Sequence, residues 1–496
     1  MAAQAQDRVP LPATNQLIIQ LRDDGKRTIA SAKPDHPVPG LTLPDGRQLS
    51  YVRSLGDGSM VVQLPEAVSL EEADALVAGL MQDPAVQNAQ IDKRLHPALV
   101  PNDPNYAGQW YLYEDTAGIR METAWSQQTG SSSVVIAVLD SGILPHADLD
   151  PARILAGYDF ISDIPTANDG NGRDPDPTDP GDAVVPGDCL DDPLADTDSS
   201  WHGLSVTGVI AATSDNNNDI AGIDFAARVL PVRVLGKCGG YISDIIEAIR
   251  WAAGLPVAGV PVNNNPAKVI NLSLAGFGAC SAQEQQAIDA AVAAGAVVVV
   301  AAGNEAQDVA NYSPANCNNV ITVGSIDRDG SIASYMNVGE EVDLVAPGGD
   351  GLGMNAEGIL TLFNNGVTTA STDALAYIQG TSFTTAQVSG VASLMWAVNN
   401  ALDPATIIAI LRATTRDFPD ASCNANLCGT GLLDAGAALV GAANPGAVIS
   451  RAAPTGDDVG GGGGGGGCTL QSTRDVDPIL PLLLLAAFVG LRWRIR

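Results

Sequence analysis

Basic charge is what this chain has least of. It carries 25 Lys and Arg against 56 Asp and Glu, for a net charge of −31. A nucleic-acid binder needs a basic face for phosphate, so that class is excluded. The balance favours a soluble, self-repelling extracellular protein, although charge alone also fits an acidic cytosolic one. Histidine is scarce too, with only His36, His96, His146 and His202. Aromatic content is 4%, while abundant Ala, Val and Gly suit tightly packed layers of strands and helices. No Cys-x-x-Cys pair occurs, which argues against a zinc cluster. The segment Met1-Ala2-Ala3-Gln4-Ala5-Gln6 has neither a basic region nor a long apolar run, so it is not a complete signal peptide. It reads as the stump around a small-residue cleavage site, at a truncated or misassigned start.

What is present is enough for two or three units: 496 residues, 46% of them apolar. Residues 15–98 read as a small α+β unit. Leu17–Leu21, Met60–Leu64 and Val86–Ile91 are strand-like, and Leu70–Met81 has helical spacing. Residues 95–106 hold Pro97, Pro101 and Pro104 and read as an exposed connector. From Val134 onward the pattern changes. Val134–Leu139, Val229–Val234, Val269–Leu274, Val297–Ala302 and Val320–Val323 are strand candidates. Ile242–Ala253, Ala282–Ala293 and Ser382–Val398 are helix candidates. Near-continuous Val/Ile runs indicate strands buried on both faces. Their alternation with helices predicts an α/β fold, a doubly wound, mostly parallel sheet with helices on each side. Sites in such sheets form beyond the carboxyl ends of the strands.

The expected units are 1–100, 101–443, a Gly-rich linker over 444–478 and a tail over 479–496. Within the second, residues 163–199 are rich in Asp, Pro and Gly and read as a surface insertion. Calcium is a candidate ligand for its carboxylates, but a merely solvated loop is the plainer reading, and no EF-hand spacing is present. In the tail, glycines 460–467 and Cys468 precede an apolar stretch, Ile479–Leu491, and the basic end Arg492-Trp493-Arg494-Ile495-Arg496. That stretch is short for a membrane helix, which needs roughly 20 residues. Cys189, Cys238, Cys280, Cys317, Cys423 and Cys428 all fall in the second unit. Six cysteines allow fifteen pairings, and the sequence leaves all of them open.

Four segments carry chemistry. Val135–Leu139 leads into Asp140-Ser141-Gly142, a carboxylate at a strand end. Ser200-Trp201-His202-Gly203 opens a helix-like run with an imidazole. Ala301-Ala302-Gly303-Asn304 ends a strand with an amide. Gly380-Thr381-Ser382 precedes a helix-like run, so a serine hydroxyl sits at the positive end of a helix dipole. Each has a plainer reading: Asp140 capping a turn, Asn304 as a turn residue, Ser382 as a helix N-cap. An aspartic protease would need a second Asp-Ser/Thr-Gly, and none occurs. His146, in Pro145-His146-Ala147-Asp148-Leu149, competes with His202 for notice.

Together, in the order Asp, His, Asn, Ser, these motifs resemble the subtilases, the subtilisin-like serine endopeptidases. The resemblance covers roughly Pro101 to Ala443 and implies a subtilisin-like fold. It implies Asp140, His202 and Ser382 as a triad, with Asn304 as oxyanion donor beside the Ser382 N–H. It implies Ser273-Leu274-Ala275-Gly276 as the segment that pairs with an extended substrate, framing a pocket with Ala301, Ala302 and Gly303. Small residues there suggest an open pocket for an apolar or bulky side chain. His146 would be structural. The resemblance also implies sequential disulfides, Cys189–Cys238, Cys280–Cys317 and Cys423–Cys428, as in a secreted bacterial branch. Residues 1–100 would be a prosegment that acts as folding template and inhibitor, freed by cleavage within about ten residues of Leu99. The tail resembles the sorting tails of Gram-negative surface and secreted proteins, with a retained membrane anchor as the alternative. No cofactor is implied for catalysis; any metal is unknown. The implied partners are polypeptide substrates and the chain's own prosegment, on a monomer in the periplasm or at the outer surface.

Two departures bear on activity. The family reads His-Gly-Thr-His where this chain has His202-Gly203-Leu204-Ser205. It reads Gly-Thr-Ser-Met-Ala-x-Pro-His where this chain has Gly380-Thr381-Ser382-Phe383-Thr384-Thr385-Ala386-Gln387. These keep open a rival from another class, a surface-attached binding protein on a degenerate protease scaffold.

Overall fold

The computed structural model describes residues 13–22, 34, 36–43, 45–92, 99–190, 192–350, 356–446 and 448. The glycine run, Cys468 and the apolar tail lie outside the described residues. Among the described residues, no helix is long and apolar enough to cross a membrane.

The N-terminal part is an antiparallel sheet of β1 (Ala13–Leu21), β2 (Pro37–Thr42), β3 (Gln48–Ser54), β4 (Met60–Ser69) and β5 (Val86–Ile91), with helix α1 (Leu70–Leu80). The strand order is β2-β3-β4-β1-β5. Leu17, Ile19, Met60 and Val62 alternate inward and meet Ala73, Leu76 and Leu80 of α1 in a core of their own. Strand β5 has a polar middle because it is an edge strand: Gln87, Asn88 and Gln90 face solvent while Val86 and Ala89 are buried. The sequence reading missed β2 and β3. The first contains Pro37, Pro39 and Gly40; the second is largely half-exposed.

The larger part is a seven-stranded sheet. In chain order the strands are β6 (Val135–Asp140), β7 (Tyr158–Asp159), β8 (Arg228–Arg233), β9 (Val269–Leu272), β11 (Val297–Ala301), β13 (Ile321–Ile326) and β14 (Leu344–Pro347). A short pair, β10 (Gly276–Phe277) with β12 (Tyr312–Ser313), stands apart. The order is β14-β13-β11-β9-β6-β8-β7, and every pairing is parallel. Strands β6, β9 and β11 are buried at every residue, as continuous apolar runs in a two-sided sheet require. Helices α2 (His202–Ala211), α3 (Ile242–Ala252), α4 (Ala282–Ala293), α5 (Thr381–Val398), α6 (Pro404–Ala413) and α7 (Ala435–Ala443) complete the layers. Helix α4 starts with a capping box: Ser281 Oγ accepts from Glu284 N–H at 3.2 Å, and Glu284 Oε2 accepts from Ser281 N–H at 2.8 Å. A hairpin of β15 (Ile359–Asn364) and β16 (Asp373–Ile378) packs beside α2.

The chain leaves β6 for strands on one side and later crosses to β9 on the other. That makes the β6/β9 boundary the switch point, where an open α/β sheet forms its crevice. Cys189 is bonded to Cys238, Cys280 to Cys317 and Cys423 to Cys428.

Candidate active site

Four of the sequence-selected residues converge at the carboxyl edge of this sheet. Asp140 is the last residue of β6 and is fully buried. Its Oδ1 accepts from Ser141 N–H and from His202 Nδ1, both at 2.7 Å. A carboxylate only accepts, so this contact assigns the ring proton to Nδ1 and leaves Nε2 as the basic nitrogen. Burial disfavours the charged ring, but the charge and hydrogen bond of Asp140, with the charges of Asp182 and Asp179, outweigh it. The net result raises the His202 pKa above its ordinary 6.5.

His202 opens α2. The residue before it, Trp201, sits in the left-handed region at φ 48°, a conformation that costs a bulky residue free energy. The indole is fully buried and donates from Nε1 to Gly366 O at 2.8 Å, which clamps the turn. His146, the competing histidine, is elsewhere. Its Nδ1 accepts from Asp148 N–H at 3.1 Å and its Nε2 donates to Ala374 O at 3.2 Å, a structural bracing role.

Ser382 is not an N-cap. Helix α5 begins at Thr381 after Gly380, whose φ of 142° is open to glycine, and Ser382 lies in the first turn. Its Oγ donates to Ser273 O at 3.2 Å, while its carbonyl accepts from Ser273 Oγ at 2.8 Å. No hydrogen bond joins Ser382 to His202 among the described residues. Both nevertheless line one cleft of about 490 Å³, and the ring of the next residue, Phe383, lies 5.8 Å from the His202 ring.

Asn304 follows β11 and lines the same cleft. Its Oδ1 accepts from Thr381 N–H and from Thr381 Oγ1, each at 2.9 Å. With the carbonyl end held twice, the amide orientation is fixed and Nδ2 remains as the donor. In the sequence Thr381 stands only as part of the Gly380-Thr381-Ser382 motif, with no role of its own. Its signal was there, since a threonine at a helix start is β-branched and has a hydroxyl donor to spend.

The proposed substrate segment divides. Ser273, Leu274, Ala275, Ala301 and Gly303 line the cleft. Gly276 and Ala302 are not among the cleft-lining residues. Gly276 pairs with Ser313 in β10–β12, so that part of the segment already has a neighbouring strand. Ala302 is fully buried, with its N–H on Val323 O at 3.0 Å and its carbonyl accepting from Asn337 Nδ2 at 3.1 Å. The acidic insertion also lines the cleft, through Asp182, Val184, Cys189, Asp192, Ala195 and Thr197. Among the described residues, no group of three or more His, Cys, Asp or Glu is arranged to hold a metal ion.

The subtilase family profile matches residues 131–431. The chain is 46% identical over 398 residues to an extracellular protease of Xanthomonas campestris pv. campestris, covering 80% of this chain and 66% of that one. It is 39% identical over 404 residues to an extracellular basic protease of Dichelobacter nodosus, covering 79% and 64%. The chain therefore spans slightly under two thirds of the length of these curated relatives. A solved protease structure from Pseudoalteromonas arctica superposes with a TM-score of 0.67 at 49% identity, covering 69% of this chain and all of that one. The fold is subtilisin-like, and the chain belongs to the subtilase family.

Proposed function

We propose that this chain is a secreted serine endopeptidase that cleaves polypeptides through Asp140, His202 and Ser382, with Asn304 stabilising the oxyanion. The observation that carries the reading is the 2.7 Å contact of His202 Nδ1 with buried Asp140, in a cleft that Ser382 and Asn304 also line.

The serine hydroxyl is too weak an acid to attack unaided. A turn about χ1, between staggered wells, takes Ser382 Oγ from Ser273 O toward His202 Nε2. Such contacts are often loose before substrate binds. His202 Nε2 accepts the hydroxyl proton as Oγ bonds to the scissile carbonyl carbon. Asp140 holds the tautomer and stabilises the imidazolium without itself taking the proton. The carbonyl oxygen becomes an oxyanion, met by Asn304 Nδ2 and the Ser382 N–H at the start of α5, where the helix dipole adds to the attraction. The tetrahedral intermediate collapses, the C–N bond breaks and His202 protonates the leaving amine. Water then repeats the sequence on the acyl-enzyme, with His202 as base, and returns Ser382.

Residues 1–100 act in this reading as a prosegment, supported by the separate core of the N-terminal sheet. Cleavage near Leu99 frees the mature enzyme of about 101–443, and the tail directs sorting at the surface. The test is hydrolysis of a casein substrate by wild type, Ser382→Ala and His202→Ala, with mass spectrometry of both protein ends. Activity confined to wild type supports the reading; a folded, processed wild type without activity supports the degenerate scaffold instead.

A further inference from the structure

The acidic insertion was expected to be a solvated loop, yet one of its carboxylates is buried against the Asp140 segment. Asp179 is 2% exposed. The backbone around it is laced to the residues after Asp140. Ile143 N–H donates to Pro177 O at 3.0 Å, and Asp179 N–H donates to Ile143 O at 3.1 Å. Gly142 permits this approach: at its φ of 115°, a Cβ would lie 2.6 Å from Pro177 O and 3.0 Å from Asp179 N.

Ser141 links the two segments. Its Oγ donates to Asp179 Oδ2 at 2.7 Å and accepts from Gly203 N–H at 3.0 Å. A hydroxyl has one proton, so giving it to Asp179 turns the lone pairs toward Gly203. The Ser141 N–H meanwhile donates to Asp140 Oδ1, the oxygen that also accepts from His202 Nδ1. The Ser141 carbonyl accepts from Arg233 Nε at 3.0 Å. Every polar group of this serine is committed.

We infer that Asp179 is a positioning residue for the Asp140–His202 pair: acting through Ser141, it fixes the peptide that follows Asp140 against the first turn of the His202 helix. The inference rests on the catalytic reading above and deepens it. It makes the insertion part of the support of the site.

The groups facing Asp179 are Ser141 at the end of β6, Gly181 N–H at 2.9 Å and Asp182 in its own loop, Arg233 on β8, and His202 at the head of α2. Burial pushes the Asp179 carboxyl up to about 6, opposed by Ser141 and the Gly181 N–H. Its negative charge is among those that raise the His202 pKa. Removing that charge therefore lowers the imidazole pKa, and the acid limb of activity moves to lower pH.

The test uses the full processed chain with a peptide p-nitroanilide, and kcat is expressed per site titrated with a fluorophosphonate. Asp179→Asn, Ser141→Ala and the double variant are compared. Asp179→Asn and Ser141→Ala each lower kcat roughly tenfold with KM within about twofold, as loss of a hydrogen bond to a charged group implies. The double variant is no worse than the poorer single variant, because both remove one link. Asp179→Asn also shifts the acid limb of kcat/KM downward. Wild-type kcat in either single variant, additive losses in the double, or an unmoved acid limb overturns the inference. Should Asp179→Asn fail to accumulate folded, Ser141→Ala decides: wild-type kcat per titrated site overturns it, and a tenfold loss supports it. Failure of the catalytic reading shows separately, as a wild type that neither hydrolyses the substrate nor takes the label.

Discussion

Replacing Thr381 by Val exchanges its hydroxyl for a methyl group and keeps a β-branched side chain of similar size. Asn304 Oδ1 then loses one of its two donors, the Thr381 Oγ1 contact at 2.9 Å, and keeps the backbone N–H. A typical intramolecular hydrogen bond contributes about 1 kcal/mol, so the amide is held less firmly in the orientation that turns Nδ2 to the oxyanion. That corresponds to a loss in kcat of about fivefold. A second cost falls on stability, since Gly303 N–H donates to Thr381 Oγ1 at 3.2 Å. Leaving a buried donor unpaired costs about 1–3 kcal/mol. Steady-state hydrolysis of a peptide p-nitroanilide, normalised to titrated sites, measures the first, and urea unfolding the second. Thr381→Ser, which keeps the hydroxyl, should stay near wild type in kcat. Wild-type kcat in Thr381→Val, or an equal loss in Thr381→Ser, would refute the argument that this hydroxyl orients Asn304.

Deleting the donor itself is more severe: Asn304→Ala should lower kcat by about 10²–10³, the typical loss for one oxyanion donor, with KM little changed. Because neutral His202 is the base and its pKa is raised, kcat/KM should fall as pH drops through a midpoint above 6.5; a pH profile with a lower midpoint contradicts the electrostatic account. The Cys189–Cys238 bond closes a loop of sequence separation 49, so the double Ala variant should lose about 4 kcal/mol in the chain-entropy model, read as a lower urea midpoint. Ile136→Ala, fully buried in β6, should cost about 2–5 kcal/mol while kcat of the folded fraction persists.

The strands of the large sheet were legible because burial on both faces leaves an uninterrupted Val/Ile record, as in Val297–Ala301. Asp140 and Asn304, picked out by their motifs and the subtilase resemblance, also fall at predicted strand ends, where such sheets form their sites. Elements with weaker records escaped. Strand β16 is half-buried along most of its length, and β2 carries prolines and a glycine. The support of the site escaped for another reason. Asp179 reaches Ser141 across 38 residues, and Thr381 reaches Asn304 across 77. Neither contact leaves a local pattern, since an Asp in an acidic run looks like its solvated neighbours until the chain folds over it. Two residues of the expected substrate segment do not line the cleft. Gly276 pairs with β12, and the Ala302 backbone is engaged by Val323 of β13 and by the Asn337 side chain.

The central claim is that the Ser382 hydroxyl is activated by His202 at this sheet edge. The most direct measurement is fluorophosphonate labelling of the processed wild type, with the modified residue located by peptide mass spectrometry. A single adduct on Ser382, absent in Ser382→Ala and strongly slowed in His202→Ala, is the predicted result. An adduct on another residue, or no adduct in a folded and processed wild type, would contradict the account.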